Sequence, residues 1–318
     1  MNILFWGETA SPNGPGNVNR GFHAHLPETF LRPKSANRYL CLAEGTALLL
    51  GCKVLVVSGI SRQGCLLTAL AKLLGKKTVY IMHGSAFRES RWYSNAPLCK
   101  QERFLLRRAD LLLAVSRMFR DWVREIEPQY AGKTEHLYPG IELPPDMAGN
   151  PVPFTVAAAG GDGGIKANGE LARAVSQIPG ARLTVYGPVK QTCSQGPVRY
   201  AGRLSREEFW QELSDTALFV LNSRFESFSL SALEALGLGC SLLISEKAGA
   251  AELLDLTEAD IIHDPSDIRE LERKITYLLQ NPNNRRLASS VNWQELTWKA
   301  ACTRLEAYCA QLTKGGKQ

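Results

Sequence analysis

Twice along the chain, short and nearly continuous apolar runs alternate with segments of helical period, and a proline-rich stretch divides the two series. In the first series NILFWG, KVLVVSG, KTVYIMHG, LLLAVS and EHLYPGI read as strands, with helices through ALAKLLG and QERFLLRRA between them. In the second the strands are FTVAAAG, ARLTVYG, VRYAG, LFVLN, CSLLIS and ADIIH. Strands apolar on both faces and separated by helices require a parallel sheet covered on both sides, so the pattern predicts two doubly wound α/β domains. The divider, residues 139–154, carries five prolines and two glycines. We place domains at 1–143 and 154–292, a linker at 144–153, and a closing helical segment at 293–318, the helical pattern itself running from about Asn283 to Leu312. Two such halves imply a cleft between them, and open α/β sheets take ligands at the carboxyl ends of their strands.

The longest apolar run, TALLLGCKVLVV, is interrupted by Lys53, so no segment spans a bilayer. MNILFWGE lacks a basic leader and reads as a first core strand, which predicts a cytoplasmic protein. Eight cysteines without a C-x-x-C pair imply packed, reduced thiols and no zinc site. Charge is uneven: residues 1–143 carry +8 and the remainder −2 of the total of +6. Its densest part, KQERFLLRR, sets Lys100, Arg103, Arg107 and Arg108 toward one helix face. Such a face is either simply solvated or suited to phosphorylated substrates and anionic lipid, which would make the protein peripheral at the inner face of a membrane. No partner of nucleic-acid type is expected.

FTVAAAG runs into a turn with Gly160, Gly161, Gly163 and Gly164 before a helix expected to contain Lys166. Glycines admit a ligand close to the backbone, a helix start favours phosphate, and a lysine adds a mobile cation. The turn is not the dinucleotide fingerprint, and the next strand ends in YGP without an acidic residue for a ribose, which argues against a nicotinamide cofactor. A second glycine turn, with Gly14 and Gly16, follows the first strand. NSRFESFSLSALEALGLGC then sets Glu226 and Glu234 around a helix start. The plain reading of Glu234 is a capping box with Ser231 as N-cap, and Glu226 is then a loop carboxylate.

Glu226 through Glu234, in ESFSLSALE, resembles the E-x7-E motif of the retaining glycosyltransferases of family 4, followed here by Gly249 and Glu252 in KAGAAELL. LLLAVSRMF, YPGIEL and the stretch from Trp293 to Tyr308 resemble further segments of that family in the same order. The resemblance implies a GT-B fold: two facing Rossmann-like domains, acceptor mainly on the first, nucleotide-sugar donor on the second, and a closing helix that returns to the first. It further implies Glu234 on the ribose hydroxyls, Glu226 on a hydroxyl of the donor sugar, and the backbone of Ser227, Phe228, Ser229 and Leu230 along sugar and diphosphate. Gly160 and Gly161, with Gly14 and Gly16 from the first domain, would approach the phosphates, Lys166 would neutralise the departing diphosphate, and His83 in YIMHGS would meet the sugar. No metal and no cofactor are implied. The donor, UDP- or GDP-linked, is a substrate, and the acceptor is a glycan, a lipid-linked sugar or another hydroxyl compound in polysaccharide or glycoconjugate assembly. The family's arginine shortly before the lysine is absent, its place held by Gly161 or Asp162, and ESFS stands for the common EGFG. A non-catalytic binding or regulatory protein of this fold and a sugar-nucleotide epimerase are the alternatives.

Overall fold

The computed structural model describes residues 1–92, 95–144 and 150–314. Residues 145–149 of the expected linker and 315–318 of the closing segment therefore lie outside the described residues. The chain forms two compact units, Met1–Gly140 with Trp293–Gln318, and Ile141–Asn292.

The first unit runs β1 (Ile3–Gly7), α1 (Gly14–His25), β2 (Phe30–Leu31), α2 (Arg38–Gly51), β3 (Val54–Ser58), α3 (Arg62–Leu73), β4 (Lys77–Met82), α4 (Ala86–Glu89), α5 (Ala96–Arg108), β5 (Leu111–Ala114), α6 (Arg117–Ile126) and β6 (Thr134–His136). Its strands pair in parallel in the order β2-β1-β3-β4-β5-β6. Every residue of β3 and β5 is buried, which a strand achieves only when both faces of its sheet are covered. The chain leaves β1 toward β2 on one side and β3 on the other, so the topological switch point lies between β1 and β3. Of EHLYPGI only Glu135 and His136 lie in the three-residue β6, and the Leu137 N–H adds a last bond to the Ala114 carbonyl at 2.8 Å.

The second unit runs β7 (Val152–Ala159), α7 (Asn168–Val175), β8 (Arg182–Tyr186), β9 (Cys193–Gln195), β10 (Val198–Gly202), α8 (Arg206–Ser214), β11 (Thr216–Leu221), α9 (Leu230–Gly237), β12 (Ser241–Ser245), β13 (Ile261–Ile262), α10 (Ile268–Gln280) and α11 (Asn284–Ser290). The sheet order is β13-β12-β11-β7-β8-β10-β9, with only the edge strand β9 antiparallel. Val156, Leu183, Leu218 and Leu243 of the strands close against Leu171 of α7 and Ile275 of α10. The switch point of this sheet lies between β7 and β11. Ile141–Leu143, which sequence reading assigns to the first domain, belongs here. The Leu143 side chain fills the space beside Gly237, where a Cβ would come within 2.4 Å of it.

The expected helical run from Asn283 is broken into α11, a 3₁₀ turn at Trp293–Leu296 and α12 (Trp298–Lys314). α12 packs within the first unit: the Trp298 indole lies so close on α1 that a Cβ on Gly21 would fall 1.9 Å from it, and its ring meets Phe22 edge-on at 5.3 Å. The Tyr308 hydroxyl donates to the His136 carbonyl at 3.2 Å. All eight cysteines are unbridged. Among the described residues no helix is long and apolar enough to cross a membrane.

Candidate functional site

In the second unit the chain leaves β7 through Gly160 and Gly161, whose φ angles of +98° and +69° lie in the region that glycine alone adopts without strain. Gly161 is locked from several sides. Its N–H donates to the Tyr186 carbonyl at 2.9 Å, the Asn168 amide donates to its carbonyl at 2.7 Å, and a Cβ would sit 1.7 Å from the Pro188 oxygen. Lys166 does not lie in the helix that sequence reading expects to hold it. It ends a 3₁₀ turn, Gly164–Lys166, and Ala167 at φ +47° separates that turn from α7. The lysine stem folds back over Gly160, where a Cβ would lie 2.8 Å from its carbons. Asp162, near the place of the family arginine, accepts the Lys190 N–H at 3.3 Å.

β11 forms the other bank of the switch point and delivers Asn222 and Ser223, both buried, into a turn. That turn is stitched to the segment after β12: Glu226 N–H donates to the Lys247 carbonyl at 3.0 Å, Gly249 N–H to Glu226 at 2.9 Å, and Ala250 N–H to Phe228 at 2.8 Å. With its backbone so held, the Glu226 carboxylate forms an ion pair with Lys166, joining the loops that follow β11 and β7. Ser227 and Phe228 are buried, and Ser229, at φ +90°, is the N-cap of α9 with its hydroxyl accepting the Ala232 N–H. The Ser231–Glu234 capping box is therefore overturned: with the cap two residues earlier, Leu230 opens the helix and Glu234 lies a full turn inside it.

Released from capping, Glu234 points into the protein and is only 7% exposed. Arg206, at the start of α8, reaches Glu234 Oε1 with Nη2 and Glu142 Oε2 with Nη1, each at 3.1 Å. Burial raises the Glu234 pKa, and the Arg206 charge opposes that shift. The Trp210 indole N–H makes no hydrogen bond of full geometry, yet it lies near enough to the carboxylate to favour its charged form, and its ring carries the Arg206 guanidinium at 4.5 Å. Sequence reading misses Arg206 altogether. Ser205-Arg206-Glu207-Glu208 reads as a solvated helix start, and Ser205 and Glu208 do form a capping box.

The remaining sequence candidates lie in the first unit, at the carboxyl edge of its sheet. The Gly16 N–H is already taken by the Asn13 side chain at 2.9 Å, and a Cβ on Gly16 would fall 1.9 Å from the Ser11 oxygen, so the fold of its own turn requires this glycine. Gly14 has open space around it. His83 follows β4 and sets Nε2 2.9 Å from the Ser58 hydroxyl at the end of β3. Some of its surface reaches solvent, but the ring lies deep among protein atoms, and burial pushes its pKa down to about 4. The imidazole is neutral at pH 7. Among the described residues no group of three or more His, Cys, Asp or Glu side chains is arranged to hold a metal ion.

Two family models match the chain: that of glycosyltransferase family 4 over residues 7–143, and that of the group 1 glycosyl transferases over residues 166–291. No curated protein matches. Among solved structures, the chain is similar to Alr3699/HepE from Anabaena, determined with UDP and glucose, at a TM-score of 0.72 and 15% identity over 98% of this chain and 100% of that one. It is similar to sucrose-phosphate synthase from Thermosynechococcus elongatus at a TM-score of 0.74 and 16% identity, over 99% and 100% of the two chains. The lipopolysaccharide outer core galactosyltransferase WaaB aligns at 0.65 and 15% identity, over 99% and 100%.

Proposed function

The chain belongs to the family 4 type of GT-B glycosyltransferases, and on that premise we propose that it moves a sugar, with retention of configuration, from a nucleoside-diphosphate donor to a hydroxyl of a glycan or lipid-linked acceptor. The observation that carries this reading is the pair of carboxylate–cation contacts beside the β7/β11 switch point, Glu226 with Lys166 and Glu234 with Arg206. The difficult moment of the reaction is the departure of a nucleoside diphosphate, and a fixed cation aimed at the developing charge is what lowers that barrier. Glu226 is the counter-ion to Lys166. An arriving diphosphate takes over the lysine and leaves Glu226 to accept a hydrogen bond from a donor-sugar hydroxyl. Glu234 accepts the ribose hydroxyls, and its Arg206 partner opposes the loss of charge that burial favours.

The Gly160–Gly161 turn and the backbone of Ser227, Phe228, Ser229 and Leu230 provide close approach for phosphate and sugar. The acceptor hydroxyl attacks from the face that the diphosphate leaves, hydrogen-bonded to it, and neither a protein nucleophile nor a metal takes part. The UDP named with the HepE structures favours UDP over GDP as the leaving group.

Thermal unfolding with UDP, GDP, ADP, CMP and dTDP tests the reading. A ligand at a hundred times its Kd stabilises the native state by about 2.7 kcal/mol. One nucleoside diphosphate is expected to give such a shift on the wild type and none on Glu234→Ala, and the matching sugar nucleotide to release free nucleotide in the presence of acceptor. If no nucleotide stabilises the wild type, the donor site is refuted. An epimerised donor in place of free nucleotide would move the assignment to an epimerase.

A further inference from the structure

Lys166 carries charge on which the proposed reaction depends, yet the turn that presents it is poorly built to keep a side chain still. Gly163 and Gly164 open the turn, the Lys166 N–H closes it on the Gly163 carbonyl at 2.9 Å, and Ala167 follows at φ +47°. Glycines leave a turn many conformations, and a lysine stem adds freedom of its own. A cation fixed on such a turn must be held from outside it.

The segment after β11 supplies that hold. Arg224 N–H donates to the Ile165 carbonyl at 2.8 Å, Arg224 Nε to the Gly164 carbonyl at 3.3 Å, and the buried Asn222 amide to the Ala167 carbonyl at 2.9 Å. The far edge of the guanidinium is fixed in turn: Nη2 donates to Glu170 Oε1 on α7 at 2.8 Å, and Nη1 to the Ser266 hydroxyl, in the loop after β13, at 2.6 Å. With these partners Arg224 is a brace whose planar fork joins the loops that follow β7, β11 and β13. Alternation along the segment puts it there. Ser223, Phe225 and Ser227 are buried, and Arg224 and Glu226 between them point to the half-buried side that meets the β7 loop. Lys166 is therefore held at both ends by one segment, its backbone turn by Arg224 and its ammonium by Glu226.

The two holds differ in permanence. In the reaction proposed above, on which this inference rests, the diphosphate draws the ammonium away from Glu226, and only the hold on the backbone remains while the leaving charge develops. We infer that Arg224 is the positioning residue of Lys166, fixing the turn from which the lysine meets the departing diphosphate without touching the donor itself. Charge lowers such a barrier when it does not have to reorganise at the moment of reaction.

Hydrogen exchange of the full chain tests the hold with no donor present. Arg224→Gln should speed exchange of the amides at 163–167 about tenfold, as loss of a charge-assisted hydrogen bond would, and leave those of β7 and β11 unchanged. Release of UDP from UDP-glucose tests the consequence. kcat should fall about tenfold to a hundredfold with KM within about twofold, because Lys166 acts on charge that develops only in the transition state. A general loss of structure would add to any other lesion, whereas a residue that works through Lys166 cannot. On a Lys166→Met background Arg224→Gln should therefore change kcat by less than about twofold. Arg224→Lys, which keeps the charge and loses the fork, should behave as Arg224→Gln does and serves where the glutamine disturbs folding. Unchanged exchange at 163–167 overturns the inference, as does an undiminished effect on Lys166→Met or wild-type behaviour of Arg224→Lys. A wild type that neither releases UDP nor is stabilised by any nucleoside diphosphate refutes the donor site instead, and the exchange measurement still decides whether Arg224 holds the turn.

Discussion

Glu226 and Glu234 are chemically the same residue in unlike surroundings, and the contrast divides their work. Glu226 stays partly open to solvent with a lysine it can yield to a diphosphate, whereas Glu234 is buried and held by an arginine that also grips Glu142. The two carboxylates and Lys166 are legible in the sequence because their types and spacing are local. Arg206 is not, because its distinction is only that α8 begins beside α9. His83 gives a test at this scale. Its pKa falls from 6.5 to about 4 on folding, so the native state resists a proton that the unfolded chain accepts. The associated stability is complete above pH 6.5 and is lost as pH falls toward about 4, a change of about 3 kcal/mol at roughly 1.4 kcal/mol per pH unit. Urea midpoints measured from neutral to acid pH should show this slope in the wild type, and it should flatten in His83→Gln. An unchanged slope would mean that His83 is protonated as readily in the fold as outside it.

At the scale of elements, the long buried strands are legible because two-sided burial leaves a continuous apolar run. The short edge strands β2 and β9 are not, since two or three residues carry no period. The start of α9 was misplaced for another reason. Ser229 and Ser231 are equal as cap residues by type, and the choice fell to Ser229 because Ala250 N–H on the Phe228 carbonyl holds the chain in a turn that ends at positive φ. The Gly160–Gly161 turn belongs to this scale as well. Gly161→Ala would need a left-handed alanine and would drive its Cβ into the Pro188 carbonyl, a backbone group that cannot rotate away. It should cost more than about 2 kcal/mol and should abolish nucleotide stabilisation. Gly169→Ala, in α7 with open space around it, should be neutral or gain a few tenths of a kcal/mol. Urea unfolding of the pair distinguishes a glycine that its turn requires from one that a helix merely contains.

At the scale of the whole molecule, the chain enters the second unit at Ile141 and returns to the first at Trp293. Ending the chain after Asn292 would remove Trp298 from its seat on Gly21 and Phe22, and loss of a buried tryptophan side chain alone costs about 3–5 kcal/mol. Calorimetry of that truncation should show the first unit unfolding at much lower temperature, with the second still stabilised by the responsive nucleotide. Loss of the nucleotide response instead would mean that the second unit does not hold its ligand by itself. The sequence alone determined the alternation of strand and helix, the two α/β sheets and the residue types at their carboxyl ends, because burial period and turn chemistry are written in neighbouring residues. Only the tertiary structure decided which of those residues meet. The Lys166–Glu226 contact joins positions 60 residues apart and Arg206–Glu234 positions 28 apart. Such contacts depend on the strand order that seats β7 beside β11, and strand order is fixed by packing over the whole sheet, leaving no mark in any local pattern.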